Sequence, residues 1–155
     1  MAVQKIHHPE HGVPGAVGAF DLLRTPLALV DGVWVKLEHL NPSGSVKDRV
    51  ARHVLESGLR SGSFAKGSEV VEPTSGNAGI ALAFWAKCLG FQAVVFMPEN
   101  MTEERKRIIR DHGATLVLTP EPEGVVGAIR RAREYALARP GRYLFDQFRA
   151  LMETK

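Results

Sequence analysis

The chain has 155 residues, of which 45% are hydrophobic and 24% charged, and its formal net charge is +3. This length fits one globular domain with a core of its own, and the composition is that of an ordinary globular protein. Basic residues are scattered and do not alternate with aromatic ones, which argues against nucleic-acid binding. The densest charged run, residues 103–107, mixes both signs and predicts a solvated helix face.

Cysteine content and hydropathy indicate a soluble cytoplasmic protein. The one cysteine, Cys88, excludes a disulfide within the chain, which is typical of a reducing compartment. It lies in an apolar run, so we expect a thiol packed in the core. The sequence shows no signal-peptide pattern at its start. It also has no apolar run near the roughly 18 residues of a membrane span, so we expect no membrane partner.

Residues 1–20 show no clear periodicity, and we expect a loop there. They contain three histidines, His7, His8 and His11. A metal site needs further ligands, and no cluster of carboxylates or cysteines elsewhere in the sequence would complete one. We therefore expect no bound metal.

Farther along the chain, short apolar segments alternate with helical ones. Asp31-Gly32 is a hairpin signal between two short strands, the second of which alternates as a half-buried strand should. After residue 62, apolar strands alternate with helices, which predicts an α/β fold: an open parallel sheet of about four strands, with helices on both faces and right-handed crossovers. The predicted strands are 25–30, 33–38, 69–72, 93–97, 114–118 and 142–145, and the helices following the sheet's first strand are 77–89, 102–112 and 123–137.

Residues 41–49, Asn-Pro-Ser-Gly-Ser-Val-Lys-Asp-Arg, form a tight turn that feeds a helix. Ser45 is suited to the N-cap and Asp48 to the reciprocal position of a capping box. Lys47 is unusual there, because a first-turn cation faces the positive end of the helix dipole. The position suits a lysine that reacts as a neutral amine, as Schiff-base lysines do. The alternative is an ordinary solvated surface lysine.

A second polar segment, residues 72–79, reads Glu-Pro-Thr-Ser-Gly-Asn-Ala-Gly and follows the first strand of the parallel region. Ligands of open α/β sheets collect at the carboxyl ends of the strands. The glycines allow backbone N–H groups to approach a ligand, and the helix N-terminus favours an anion. The segment is neither a P-loop nor a dinucleotide-binding turn. A plain strand-to-helix turn is the alternative.

The two polar segments occur together in the order of one enzyme family. Asn-Pro-x-x-Ser-x-Lys-Asp-Arg followed by Pro-Thr-Ser-Gly-Asn-x-Gly resembles the pyridoxal-phosphate enzymes of the cysteine synthase and cystathionine β-synthase family. Residues 97–105, Met-Pro-Glu-Asn-Met-Thr-Glu-Glu-Arg, and residues 113–118 carry the same resemblance. It covers residues 25–148 and implies the small domain of a fold-type II enzyme.

The resemblance implies a role for each site residue. Lys47 would bind pyridoxal 5′-phosphate covalently and shuttle the α-proton of the substrate, while Asn77 would hydrogen-bond the 3′-oxygen of the cofactor. The reaction would be β-replacement on an O-activated serine, such as O-acetylserine plus sulfide giving cysteine, through an aminoacrylate. The amino-acid carboxylate would be held by Thr74, Ser75, Gly76, Asn77 and Gln147.

Several features depart from the family pattern. Ala78 stands where the family usually has threonine, and residues 149–155 diverge. Family members are about twice this length, and their second half carries the loop for the cofactor phosphate, which we expect to be missing here. The resemblance thus implies an N-terminal half: residues 1–40 that in the family pack on the large domain, a small domain at 41–148, and a divergent tail at 149–155.

An isolated half would expose apolar surface, so we expect a homodimer or docking of a separate C-terminal half. The first alternative function is a truncated, non-catalytic remnant or binding module that keeps the fold. The second is a small nucleotide- or phosphate-binding domain, which the lack of any phosphate motif disfavours.

Overall fold

The computed structural model describes residues 3–7, 27–30 and 33–145. Their contacts divide the chain into two compact units, Met1–Asp48 and Arg49–Lys155. Short 3-10 turns lie at Glu38–Leu40 and Glu121–Glu123. In chain order the elements are β1 (Val3–His7), β2 (Leu27–Val30), β3 (Val33–Lys36), α1 (Lys47–Ser61), β4 (Glu69–Pro73), α2 (Asn77–Leu89), β5 (Gln92–Pro98), α3 (Glu103–Asp111), β6 (Thr115–Thr119), α4 (Gly124–Leu137) and β7 (Arg142–Leu144).

The first unit contains an antiparallel sheet in the order β1-β2-β3. The pairing of β2 with β3 confirms the predicted strand pair, and the turn residues Asp31-Gly32 lie outside the described residues. Strand β1 corrects the loop expected at the start of the chain. Its register with β2 shifts between Val3 and Lys5, and such an irregularity breaks the two-residue period by which a strand is recognised in a sequence.

Strand β3 is more exposed than predicted. Val33 is 62% exposed, Trp34 40% and Val35 43%, so the half-buried alternation expected for residues 33–38 is wrong. Successive side chains of a strand point to opposite faces, so side chains on both faces of β3 are exposed. The strand also ends earlier than expected, since the chain turns into the 3-10 segment.

The second unit is built on a parallel sheet in the order β6-β5-β4-β7, which confirms the predicted α/β fold. Successive residues of β4, Val70 and Val71, belong to different apolar clusters, as expected when side chains alternate between the two faces of a sheet. Helices α1, α2 and α3 pack on the Val70 face and α4 on the Val71 face. The cluster under α4 consists of Val71, Val94, Phe96, Ala128, Ala132 and Ala136.

The strand order creates a topological switch point at β4. The chain runs from β4 to β5 and β6 on one side and returns to β7 on the other. Ligands of such sheets bind where the strand order reverses, at the carboxyl ends of the strands. The polar turn after β4 begins at this place. Phe145, which follows β7, lies beside strand β4, and its N–H donates to Val71 O at 2.8 Å.

Two further predictions about burial are wrong. The thiol of Cys88 is exposed rather than packed in the core, because the inward side of the last turn of α2 is formed by Ala86 and Leu89. Lys106, expected on a solvated face, is only 5% exposed. Its Nζ donates to Glu99 O and to Glu103 Oε1, both at 2.6 Å, and these bonds compensate the burial of the charge.

The part of the chain that the structure describes contains neither a membrane-spanning helix nor a group of metal ligands. None of its helices is both long and apolar enough to cross a membrane. None of its histidines, cysteines and carboxylates gather in a group of three or more that could hold a metal ion. His8 and His11 lie outside the described residues.

The start of α2 packs very closely on the sheet. A Cβ on Gly79 would lie 2.6 Å from Thr74 Cγ2 and 3.0 Å from Val95 Cγ1, nearer than real Cβ atoms normally come. Glycine is therefore required at this position for packing, since its absent side chain lets the helix approach the strand ends.

We predict that Gly79→Ala destabilises the second unit. Overpacking of this kind costs about 1–3 kcal/mol, which outweighs a gain in helix propensity of at most about 1 kcal/mol. Urea unfolding followed by circular dichroism should give a lower midpoint than for wild type. Lys87→Ala, exposed on the same helix, is the control and should change the free energy of unfolding by less than about 0.5 kcal/mol. A Gly79→Ala protein as stable as wild type would contradict this packing.

Candidate active site

The turn that carries Lys47 is organised by a buried carboxylate. Asp48 is fully buried, and its carboxylate accepts hydrogen bonds from Ser43 N–H at 3.1 Å, Ser43 O–H at 2.7 Å and Ser45 N–H at 3.4 Å. In return, Ser45 Oγ accepts from Lys47 N–H at 3.2 Å. Ser45 thus caps the N–H of Lys47, and Asp48 accepts from Ser45 N–H, as predicted for the N-cap and for the carboxylate three residues later.

Asn41 closes the other side of this turn. Its side chain, in a residue only 5% exposed, donates through Nδ2 to Ser45 O at 2.9 Å and to Glu38 Oε2 at 2.6 Å. Its carbonyl oxygen accepts from Gly44 N–H at 2.8 Å, and Gly44 adopts φ +84°, which favours glycine. The half-buried Lys47 therefore extends from the first turn of a helix whose entry is fixed by several hydrogen bonds.

The second polar segment forms the turn between β4 and α2. Thr74 is buried, and its Oγ1 accepts a hydrogen bond from Gly76 N–H at 3.2 Å. Thr74 N–H donates to Phe96 O at 3.0 Å, which ties the turn to the neighbouring strand. The hydroxyl of Thr74 thus stabilises the backbone of the turn by accepting from Gly76 N–H. The sequence alone does not predict this contribution.

The same turn presents backbone donors that have no protein acceptor. Among the described residues, the N–H groups of Ser75, Asn77 and Ala78 donate to no other group. The side chains of Ser75 and Asn77 are exposed. Free N–H groups at a helix N-terminus form a site for an anion, because the helix dipole adds to their partial charges.

An arginine from the next helix lies against this turn. Arg105 on α3 donates from Nη1 to Ser75 O at 3.4 Å. Its Nε lies 3.7 Å from the point that a Cβ on Gly76 would occupy. The mixed charges of residues 103–107 predict a solvated face for Arg105, although this residue ends the third family-like segment. The start of α3 is anchored by Lys106, whose hydrogen bond and charge lower the pKa of Glu103.

The predicted carboxylate-binding residues lie together on one turn at the switch point of the sheet. Thr74 braces this turn, Gly76 precedes the first residue of α2, and Ser75 and Asn77 are exposed. Gln147 lies outside the described residues. The arrangement suits a small anion such as a carboxylate, and the individual roles of these residues stay predictions.

Comparison with known proteins identifies the family. Residues 20–153 match the family model described as pyridoxal-phosphate dependent enzyme. The chain belongs to this family of enzymes, in agreement with the resemblance seen in its sequence. Its four-stranded parallel sheet flanked by helices is that of the fold-type II members.

The similar proteins within this family include cysteine synthases and a cystathionine β-synthase. A cysteine synthase of Staphylococcus aureus (strain Mu50) is 51% identical over 102 residues, which are 66% of this chain and 33% of the relative. The crystal structure of cysteine synthase from Entamoeba histolytica matches with a TM-score of 0.71 and 37% identity, covering 74% of this chain and 34% of that one. The O-acetylserine-dependent cystathionine β-synthase of Helicobacter pylori matches with a TM-score of 0.67 and 40% identity, covering 72% and 36%. The chain thus spans about a third of the length of these proteins.

We predict that Asp48→Asn weakens the turn that carries Lys47. Hydrogen bonds to a charged acceptor contribute about 1.5–3 kcal/mol, and the amide would replace an acceptor by a donor facing Ser43 and Ser45. The free energy of unfolding in urea should fall by that order, and the amide resonances of both serines should shift. Asp111→Asn, exposed on α3, is the matched control and should leave both measurements unchanged. Equal stability of the two variants would show that the buried carboxylate does not hold the turn.

Proposed function

We propose that this chain carries the lysine and the carboxylate-binding turn of a cysteine synthase-like active site. The reaction is β-replacement on an O-activated serine, with O-acetylserine and sulfide giving cysteine. The observation that carries the proposal is the group of N–H donors at the switch point of the sheet that find no acceptor among the described residues, in a chain of the pyridoxal-phosphate family. Relatives named cysteine synthase support the choice of reaction.

The residues present fit pyridoxal 5′-phosphate by their chemistry. Lys47 supplies a primary amine that can bind the cofactor aldehyde, on a turn braced by buried hydrogen bonds. Asn77 supplies an exposed amide that can hydrogen-bond the 3′-oxygen of the cofactor. When bound, the cofactor acts as the electron sink for chemistry at the substrate carbons. We propose that its phosphate is held by groups outside this chain.

The carboxylate-binding turn would orient the substrate. The N–H groups of Ser75, Asn77 and Ala78 and the hydroxyl of Ser75 would donate to the two carboxylate oxygens, while Thr74 keeps the turn in shape. Gln147 would reach the same carboxylate. With the carboxylate fixed, the α-proton is presented in one direction, and the Lys47 amine would accept it and return it.

We also propose the domain assignment implied by the family. In it, residues 1–40 pack on a large domain, residues 41–148 form the small domain, and residues 149–155 are a divergent tail. The competing function is a non-catalytic remnant or binding module that retains this fold. The two are separated by whether Lys47 reacts with the cofactor, because a remnant has no need of a reactive amine.

We predict selective labelling of Lys47. The purified chain is mixed with pyridoxal 5′-phosphate and reduced with borohydride, and adducts are located by peptide mass spectrometry. One adduct per chain at Lys47 is expected, since the fixed turn presents this amine to the aldehyde. Lys47→Ala should abolish the adduct and Lys87→Ala, on an exposed lysine, should keep it. Scattered or absent labelling would favour the non-catalytic alternative.

We further propose that the exposed edge strand β3 is covered by a polypeptide partner, a second copy or a separate C-terminal half. Val33, Trp34 and Val35 form three consecutive exposed apolar side chains on an edge strand, and such edges invite pairing. The chain should therefore form dimers in light scattering or bind an apolar dye. Val33→Thr combined with Val35→Thr should reduce either signal, and Val126→Thr, exposed on α4, is the control. A monodisperse wild-type monomer that binds no dye would refute the proposal.

A further inference from the structure

The peptide group between Ser75 and Gly76 is held at both of its polar ends. Its N–H donates to Thr74 Oγ1 at 3.2 Å, and its carbonyl oxygen accepts from Arg105 Nη1 at 3.4 Å. A peptide group is planar, so fixing its N–H and its C=O fixes the orientation of the whole plane. The two contacts come from different elements, because Thr74 follows strand β4 and Arg105 lies on α3.

The orientation of this plane decides where the next donors point. Gly76 follows it with φ −173° and ψ −124°, and glycine has the widest range of backbone conformations. The N–H groups of Asn77 and Ala78 come directly after this glycine. A contact that holds the preceding peptide therefore restrains the donors proposed to bind the carboxylate.

Arg105 also brings charge to the turn. Among the described residues, Arg105 forms no ion pair with a carboxylate, whereas Arg52 is paired with Glu56 and Arg142 with Glu69. The guanidinium group carries a positive charge and only hydrogen-bond donors. Its positive charge beside a helix N-terminus adds to the field that attracts an anion.

We propose that Arg105 is a positioning residue of the carboxylate-binding turn. Its hydrogen bond holds the Ser75–Gly76 peptide so that the following N–H groups converge on one anion, and its uncompensated charge strengthens the binding of that anion. This inference rests on the proposed function for the ligand, but its effect on the backbone exists without any ligand. The two can therefore be tested apart.

The first test uses the ligand-free chain. ¹⁵N relaxation of the Gly76 and Asn77 amides is compared among wild type, Arg105→Met, Arg105→Lys and Arg105→Gln. The order parameters should fall from about 0.85 towards about 0.6 in Arg105→Met, and Arg105→Gln, which retains a donor, should fall less. Arg107→Met removes an equally exposed arginine from the same helix and should leave the turn unchanged. Unchanged order parameters in Arg105→Met would overturn the positioning role.

The second test adds the ligand. Acetate, as a bare carboxylate, and O-acetyl-L-serine are titrated while the Ser75, Asn77 and Ala78 amide shifts are followed. Arg105→Met should bind about tenfold more weakly than wild type, Arg105→Lys should keep part of the affinity through its charge, and Arg107→Met should bind as wild type does.

The outcomes of the titration separate the two proposals. Wild-type affinity in Arg105→Met would overturn the contribution of Arg105 to anion binding and leave the proposed function intact. If wild type itself shifts with neither ligand, the proposed function of the turn fails, and the relaxation measurements alone decide whether Arg105 positions the backbone. A thermal unfolding midpoint equal to that of wild type, expected for an exposed side chain, shows that each variant is folded.

Discussion

Among the residues that the structure describes, no group accepts from the N–H groups of Asn77 and Ala78 at the N-terminus of helix α2, and the turn before this helix is built around that constraint. A helix cannot satisfy its first N–H groups internally, and many helices satisfy one of them with a capping side chain. Here Gly76 occupies the cap position and has no side chain to offer. The hydroxyl nearby, that of Thr74, accepts from Gly76 itself rather than from the helix. The donors of the next two residues are thereby left for a ligand.

The turn that carries Lys47 differs from the start of α2, because side chains cap its backbone N–H groups. Its helix start is capped, because Ser45 Oγ accepts from Lys47 N–H, and the Asp48 carboxylate accepts from Ser45 N–H and from Ser43. The N–H groups of Lys47 and Asp48 therefore already have protein acceptors, Ser45 Oγ and Ser45 O. These hydrogen bonds fix the backbone of the turn, and the Lys47 side chain is the group that we propose as reactive. Two helix starts in one chain thus differ in chemistry because one has a capping side chain and the other has glycine.

The sequence was sufficient to predict the elements of the second unit and their order. Helix α2 begins at Asn77 and ends at Leu89 as predicted, because an apolar segment of the right length lies between a polar turn and Gly90, whose φ of +82° ends the helix. The same reasoning failed for Cys88, since an apolar neighbourhood in sequence does not say which side of a last turn faces the core. Strand β1 was not predicted, because its irregular register leaves no two-residue period in the sequence.

The candidate site was predictable only in part, because a local sequence pattern does not report contacts between residues that are distant in the chain. Residues 74–77 are contiguous, so a motif reports them together. The contact of Arg105 with Ser75 joins residues 30 positions apart, and no local pattern signals it. The mixed charges of residues 103–107 suggested uniform solvation, yet Lys106 is buried and Arg105 lies over the turn. The packing of α3 beside α2 gives these neighbouring cations different roles. Lys106 anchors the start of α3, and Arg105 contacts the turn.

The described contacts that shape the turn between β4 and α2 come from a short part of the chain. Thr74 braces it, Gly79 permits the close approach of α2, and Phe96 and Arg105 hold it from the neighbouring strand and helix. All of these residues belong to the second unit. These contacts lie within the chain, although it spans only about a third of the length of its relatives. Carboxylate binding is accordingly the part of the proposed chemistry that depends least on the remaining length of those proteins.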